Sequence, residues 1–350
     1  MMQSRLNDIV LGWLRRRPAA EHSAIARRRG PVDHVIILDG TMSALQGAQQ
    51  TNAGRTYLLL REAGHASVYY EAGVQWTDWR TTPDVALGRG INRQIRRAYG
   101  YLASRYHEGD RIFLMGYSRG AYAVRSLAGI IDMVGLLQAR FATERNIRQI
   151  YRLYQYDPHG AAARSFARQH CLPEAPIEMV GVWDTVKALG VRLPVLWRLT
   201  EPSHEFHNHA LGPSIRHGFH ALAHDETRAA FAPVMWNCPP GWAGKVEQVW
   251  FRGTHGDIGG QLGGYEAARP LANIPLVWML GNLEGCGVHL PEGWRARFPC
   301  DPEAPSVGTW MGIGKLFVLR QARVVGRDPS EQLHPSLARS LATGLSAAVG

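Results

Sequence analysis

Long hydrophobic runs are missing from this chain of 350 residues. No stretch approaches the ~20 uninterrupted apolar residues of a membrane span, so the sequence gives no sign of an integral membrane protein. Cysteine is also scarce, and the four cysteines contain no Cys-x-x-Cys pair. They are Cys171, Cys238, Cys286 and Cys300. This spacing fits neither a disulfide framework nor a zinc site, and it indicates free thiols in a reducing compartment. Internal repeats are absent too.

Acidic residues are fewer than basic ones, 29 against 39, which gives a net charge of +10. Two arginine triplets, 15–17 and 27–29, lie near the N-terminus. The apolar stretch before them is short, contains Asp8 and has its basic residues on the wrong side for a secretory signal. We therefore expect a cytoplasmic protein without a Sec signal, with a basic extension over residues 1–31. Such charge suits an anionic membrane surface, nucleic acid or solubility alone. We expect no nucleic-acid binding, which would need aromatic residues interleaved with basic ones on one face.

An apolar fraction of 45% and a charged fraction of 19% describe a globular protein with a substantial core. Short apolar runs end near Leu38, Tyr70, Met115, Trp183 and Arg252, and segments of helical periodicity lie between several of them. Alternating strands and helices predict a mostly parallel, doubly wound α/β sheet. In such sheets, functional residues gather at the carboxyl ends of the strands.

Two connections are unusually long, residues 135–176 and residues 186–245. We interpret both as helical cap insertions in one domain over residues 32–350, because connections of this length usually form lids or substrate walls. The second connection is predicted to contain a helix near Arg216 to Phe231.

The most informative stretch runs from Arg111 to Val134. A short apolar run is followed by Gly-Tyr-Ser-Arg-Gly at 116–120 and then by apolar residues at helical spacing. Strand, Gly-x-Ser-x-Gly and helix form the arrangement of a nucleophile elbow, which exposes the serine hydroxyl at a strained turn. The glycines allow strand and helix to pack closely around that turn.

Ser118, Asp184 and His255 each follow a predicted strand, in the chain order of an α/β-hydrolase triad. Acyl transfer needs a serine nucleophile, a histidine base and an acid that orients the imidazole. The backbone amide of Arg119 and one from the loop Gly40–Thr41 would form the oxyanion hole. This chemistry needs neither a metal nor a cofactor.

Alternatives remain open at several positions. Asp257 competes with Asp184 for the role of the acid, and Asp184 itself fits a helix cap. His224 is a reserve base and His334 a weaker one. Asp39 fits a helix cap, a loop organiser or a cation ligand.

Five segments together resemble an α/β-hydrolase family, long described only as a domain of unknown function, that includes type VI secretion phospholipase effectors. They are Leu-Asp-Gly-Thr at 38–41, Gly-Tyr-Ser-Arg-Gly-Ala-Tyr at 116–122, Gly-Val-Trp-Asp-Thr-Val at 181–186, His-Ala-Leu-Ala-His-Asp-Glu at 220–226, and residues 250–260. The resemblance covers about residues 32–285 and implies a Ser–Asp–His hydrolase with an α/β-hydrolase fold. The chain departs from the family pattern at Met42-Ser43 and at Gln261-Leu262, both expected at the pocket rim.

The resulting prediction is a serine hydrolase that cleaves carboxylic esters through an acyl-enzyme, with a lipase or phospholipase activity implied by the resemblance. The alternatives are an esterase for a non-lipid acyl substrate and an inactive hydrolase-fold binding module. Expected partners are an acyl ester or phospholipid and an anionic membrane contacted peripherally. The resemblance also implies export by a contact-dependent secretion system and an immunity or secretion partner that the sequence does not identify.

Overall fold

The computed structural model describes residues 30–47, 50–73, 89–186, 211–237, 244–309 and 319–342. Contacts divide the chain after Pro31, and the elements below belong to the second unit. The strands in these ranges are β1 (Asp33–Leu38), β2 (Ala66–Glu71), β3 (Arg111–Tyr117), β4 (Ile177–Trp183), β5 (Ile215–Ala223), β6 (Lys245–Phe251) and β7 (Glu331–Leu333). The α-helices are α1 (Asn52–Ala63), α2 (Arg89–Ala103), α3 (Arg119–Met133), α4 (Glu144–Tyr156), α5 (Ala161–His170), α6 (His255–Gly259), α7 (Arg269–Gly285) and α8 (Pro335–Ala342).

The strands form one sheet in the order β2-β1-β3-β4-β5-β6-β7. Every neighbouring pair runs parallel. Strand β1 lies next to the edge strand β2, and after β2 the chain returns across β1 to β3 and adds the remaining strands in sequence order. All carboxyl ends therefore lie along one edge of the sheet.

Both faces of the sheet are buried, which explains why its strands are continuous apolar runs. On β1, Ile36 and Leu38 pack into one cluster with α2, α3 and α4. Val35 and Ile37 point the other way, into a cluster with α1 and α7. Helices thus cover both faces, and the prediction of a doubly wound α/β fold is confirmed.

The prediction of a helix near Arg216 to Phe231 is wrong. Residues 215–223 form β5, which lies between β4 and β6 near the centre of the sheet. Phe219 and Ala221 face one core cluster, while Gly218 packs against Leu211 on the opposite face. A short run buried on both faces has no amphipathic period, so its pattern does not separate strand from helix.

The first predicted insertion, residues 135–176, carries α4 and α5. The second is shorter than predicted, since β5 belongs to the core sheet, and its part between 187 and 210 lies outside the described residues. The two arginine triplets of the N-terminal extension also lie outside them. Among the helices that the structure describes, none combines the length and the apolarity needed to cross a bilayer.

Candidate active site

Ser118 occupies the turn between β3 and α3, as the Gly-x-Ser-x-Gly pattern predicts. Its backbone has φ 58° and ψ −119°, and α3 begins at the next residue. A Cβ built on Gly120 would lie 2.1 Å from the carbonyl oxygen of Leu38, and one on Gly116 would lie 2.7 Å from the backbone of Gly120. Only glycine fits at these two points, so the helix N-terminus approaches the ends of β1 and β3 closely.

The three residues of the predicted triad lie in one chain of hydrogen bonds. Ser118 Oγ is 2.8 Å from His255 Nε2, and His255 Nδ1 is 2.6 Å from Asp184 Oδ2. The residues are 7%, 5% and 0% exposed in the order Ser118, His255, Asp184. With the proton on Nδ1, the imidazole donates to the carboxylate and accepts from the serine hydroxyl. This arrangement can move the serine proton to the imidazole.

Backbone strain concentrates at the same edge of the sheet. Among the described residues, the non-glycine positions with positive φ are Met42, Ser118 and Asp184. Each follows the carboxyl end of a strand, namely β1, β3 or β4. Such conformations cost of the order of 1–3 kcal/mol each and persist where the surroundings over-determine them, which is typical of functional sites.

Two aromatic side chains hold the imidazole of His255. The ring of Tyr117 lies 4.9 Å from it between centroids, and the Tyr117 hydroxyl donates to the carbonyl oxygen of His255 at 3.1 Å. Phe231 meets the imidazole edge-on at 4.8 Å. The orientation of the ring is thus set by packing as well as by hydrogen bonds.

Asp184 has a partner that the sequence does not reveal, the guanidinium of Arg323. Nη1 lies 2.5 Å from Oδ1 and Nη2 lies 3.0 Å from Oδ2, while the backbone amide of Ala223 donates to Oδ1 at 3.0 Å. Burial alone would raise the pKa of Asp184, but the charge of Arg323 and the bond to His255 lower it far below its usual value. No motif surrounds Arg323, so only the fold identifies it.

A second buried ion pair lies behind His255. Glu226 pairs with Arg228 at 2.6 Å, and its Oε2 also accepts the backbone N–H of His255 at 3.1 Å. Burial would raise the pKa of Glu226, but the hydrogen bond and charge of Arg228 lower it. The guanidinium of Arg228 stacks 4.0 Å above the Phe231 ring. The pair therefore fixes both the backbone and the packing of the histidine.

The loop after β1 lies beside the candidate nucleophile. The amide of Gly40 donates to Asp39 Oδ1 at 2.6 Å. In the described ranges, the amides of Thr41 and Arg119 have no acceptor, which leaves these two as the candidates for an oxyanion hole. Gln261, at one of the two departures from the family pattern, donates to the Thr41 carbonyl oxygen at 3.0 Å and so holds this loop.

The reserve candidates have other partners. Asp257 caps α6: it accepts from the amide of Thr254 at 2.7 Å and from the hydroxyl of Ser306 at 2.5 Å, and burial raises its pKa. The described contacts of this carboxylate do not include the imidazole. His224 bonds the Asp225 carboxylate at 2.7 Å, and His334 bonds Ser336 at 2.8 Å.

Asp39 is a buried organiser of the loop after β1. It accepts hydrogen bonds from the hydroxyls of Thr51 at 2.6 Å and Tyr70 at 2.7 Å, in addition to the Gly40 amide. Burial raises its pKa, against the effect of these hydrogen bonds. Within the described ranges, no group of three or more His, Cys, Asp or Glu side chains is arranged to hold a metal ion.

Comparisons with known proteins match a family model over residues 33–282, and its description is "T6SS, Phospholipase effector Tle1-like, catalytic domain". An uncharacterised protein of Saccharomyces cerevisiae is 26% identical over 238 residues, which are 59% of this chain and 33% of that protein. This chain therefore spans only a third of the curated relative.

Two solved structures are similar as well. An uncharacterised protein from Pseudomonas aeruginosa is 16% identical with a TM-score of 0.42, covering 78% of this chain and 49% of that one. A structure of the Tle1 effector bound to the VgrG spike of the type 6 secretion system is 17% identical with a TM-score of 0.36, covering 66% and 51%. The family match includes most of the chain and confirms the resemblance drawn from the sequence. This protein belongs to the family of Tle1-like type VI secretion phospholipase effector catalytic domains.

Proposed function

We propose that this protein is a serine hydrolase that cleaves carboxylic ester bonds of phospholipids. The observation that carries the proposal is the continuous chain of hydrogen bonds from Ser118 through His255 to Asp184. Membership of a phospholipase effector family supports the lipid substrate. A fold alone would support neither, because the same fold hosts many functions.

In the proposed first step, His255 Nε2 takes the proton of Ser118 as Oγ attacks the carbonyl carbon of the ester. The carbonyl oxygen becomes an oxyanion, stabilised by the amides of Thr41 and Arg119. Loss of one such donor typically costs ~100-fold or more in turnover. The imidazolium that forms is stabilised by the ionised carboxylate of Asp184.

The tetrahedral intermediate then collapses. The ester C–O bond breaks, the imidazolium gives its proton to the leaving alcohol oxygen, and the acyl group stays on Ser118 Oγ. In the second step, water loses a proton to His255 and attacks the acyl carbon, which releases the fatty acid and restores the serine hydroxyl. The products are one fatty acid and one lysophospholipid.

One further feature favours a phosphate-bearing substrate. Arg119, next to Ser118, is half-buried, and burial lowers the pKa of its guanidinium. In the described part of the chain it forms neither an ion pair nor a side-chain hydrogen bond. A phosphate oxygen bound there would supply a charge-assisted hydrogen bond to a cation that has none among the described residues.

We also propose that residues 1–31 bind an anionic membrane. Leu6, Ile9 and Trp13 are spaced as one face of a short helix that precedes the first arginine triplet, and each arginine near such a surface contributes roughly 1 kcal/mol. Removal of residues 1–30 should weaken co-sedimentation with anionic vesicles at low salt. Equal binding of the full-length and shortened proteins would contradict this role.

Family membership leads us to propose export by a contact-dependent secretion system, with a secretion or immunity partner yet to be identified. The culture supernatant of cells with an active type VI system should contain the protein, and that of cells lacking the contractile sheath should not. Equal amounts in both would contradict this export route.

The main experiment incubates the purified protein with phosphatidylglycerol vesicles and measures released fatty acid and lysophospholipid by mass spectrometry. Wild type should produce both in equal amounts, and Ser118→Ala should produce neither above background. Ser126→Ala is the matched control, because Ser126 lies on α3 and its hydroxyl donates to the Tyr122 carbonyl oxygen at 3.0 Å. The control should retain activity. Full turnover in Ser118→Ala, or no turnover of any acyl ester by wild type, would refute the proposal.

A further inference from the structure

The carboxylate of Asp184 is surrounded by donors on both oxygens. Oδ1 accepts from the Ala223 amide and from Arg323 Nη1, and Oδ2 accepts from His255 Nδ1 and from Arg323 Nη2. The side chains of Arg323 and Asp184 are 4% and 0% exposed. A buried, bidentate ion pair between a guanidinium and a carboxylate is strong and geometrically specific.

Arg323 is itself held in place by the elements that it joins. Its Nη1 donates to the carbonyl oxygen of Ala223 at 2.8 Å, at the end of β5, and its Nη2 donates to that of Phe231 at 2.6 Å. Phe231 is also the residue whose ring meets the imidazole of His255. The guanidinium of Arg323 therefore connects the candidate acid Asp184, the carboxyl end of β5 and the turn that packs on the candidate base His255.

The segment that carries Arg323 lies beyond residue 282, where the family match ends. It is attached beside the site by backbone hydrogen bonds, from Ala229 to Leu319 at 3.0 Å and from Gln321 to Thr227 at 2.7 Å. The site is therefore completed by a part of the chain outside the matched region.

We propose that Arg323 is a positioning residue of this hydrolase: it fixes the carboxylate of Asp184 and, by its positive charge, offsets part of the attraction between that carboxylate and the imidazolium of His255. The inference rests on the proposed serine-hydrolase function. A carboxylate held only by neutral donors presents its full charge to the imidazole and favours the imidazolium. The guanidinium opposes this effect because its positive charge lies next to the same carboxylate and partly neutralises it.

The other charged groups near the imidazole contribute little net charge, so Arg323 accounts for this effect. Among the residues that the structure describes, the charged and titratable groups that face the ring or its backbone are Asp184, Arg323, Glu226, Arg228 and Tyr117. Glu226 and Arg228 form their own ion pair and so largely cancel. Burial raises the pKa of Tyr117 well above its ordinary value, which keeps that phenol neutral.

The test measures the rate at which a fluorophosphonate labels Ser118, between pH 5 and pH 9. The labelling site is confirmed by mass spectrometry. Arg323→Gln removes the charge, and the midpoint of the acid limb should rise by about one pH unit. Arg323→Lys keeps the charge but cannot form the bidentate contact with the carboxylate. The midpoint of its acid limb should stay within about 0.3 pH unit of wild type, while its plateau labelling rate should fall about tenfold. Arg327→Gln is the matched control, because Arg327 is exposed in the same segment, and its profile should equal that of wild type.

The outcomes separate the two proposals. If Ser118 of the wild type is not labelled at any pH, the serine-hydrolase proposal fails. If the wild type is labelled and Arg323→Gln shows the same acid limb as the wild type, the hydrolase proposal stands and the role of Arg323 is refuted. Should Arg323→Gln not fold, as judged by circular dichroism, Arg323→Lys decides: labelling as fast as in the wild type would refute the positioning role.

Discussion

Replacement of Asp184 by asparagine should destabilise the protein as well as inactivate it. Within the described part of the chain, four donors point at the carboxylate, two toward each oxygen. The asparagine amide has one acceptor oxygen and one NH2 group, so in either orientation its NH2 faces two donors. In one orientation these are the Ala223 amide and Arg323, and in the other they are Arg323 and His255. The guanidinium of Arg323 also loses its counter-charge while it stays buried.

The expected size follows from these contacts. Removal of one partner of a buried ion pair costs about 3–5 kcal/mol, since the other charge is left uncompensated. We therefore expect the free energy of unfolding of Asp184→Asn to fall by this amount. Turnover should fall by about 10⁴, because an amide favours the wrong tautomer of His255.

Urea unfolding followed by circular dichroism measures the free energy of unfolding. Asp184→Asn/Arg323→Gln is the matched double variant: it should recover at least about 2 kcal/mol of the lost stability but none of the activity. A stability loss below about 1 kcal/mol in the single variant, or no recovery in the double one, would refute the reasoning.

The pH dependence gives a second check. Burial would raise the pKa of Asp184, but Arg323 and His255 lower it far below 3.8 in the folded protein. A depressed carboxylate pKa contributes stability that is fully present above the unfolded pKa and is lost only as the pH falls toward the folded one. In a His255→Gln background, which removes the neighbouring imidazole, the loss of stability caused by Asp184→Asn should therefore be equal at pH 8 and pH 5.5.

Three further predictions concern other parts of the molecule. Gly120→Ala should lower the free energy of unfolding by about 2–3 kcal/mol, because the new methyl would lie 2.1 Å from the Leu38 carbonyl oxygen. Gly285→Ala, with nothing within 4 Å, is its control, and equal stability of the two variants in urea would contradict the close approach. Burial lowers the pKa of His220 to about 3, so between pH 7 and pH 5 only the unfolded chain takes up this proton, and stability should fall by about 2 kcal/mol on this account. His220→Gln should lose that part of the fall, and an unchanged pH slope in unfolding experiments would argue against it. Arg119→Met should slow hydrolysis of anionic phospholipid about tenfold more than hydrolysis of an uncharged soluble ester. Equal losses on both substrates would exclude a phosphate contact.

The candidate nucleophile can be predicted from the sequence because all residues of its elbow are neighbours in the chain. Strand, tight turn and helix follow one another without interruption around Ser118. Asp184 and His255 are readable because each follows an apolar run, and a parallel sheet places all such ends along one edge. The role of each residue in catalysis stays a proposal, while their proximity is observed.

Other parts of the site have no local signal. Arg323 reaches Asp184 across 139 positions of the chain, and nothing in its neighbourhood distinguishes it from other arginines. The same holds for Gln261, which holds the loop of Thr41 and whose only signal in the sequence is a departure from the family pattern. The sequence predicts a helix where β5 lies, because burial on both faces removes the amphipathic period. Each of these features depends on tertiary contacts.

The most direct test of the central claim is a rapid-quench experiment with a p-nitrophenyl ester. If Ser118 is the nucleophile and deacylation is slow, p-nitrophenol should appear in a burst of about one equivalent per protein molecule. Peptide mass spectrometry of the quenched protein should then locate the acyl group on the peptide that contains Ser118. An acyl group on another residue, or a burst without any acylated peptide, would contradict the account.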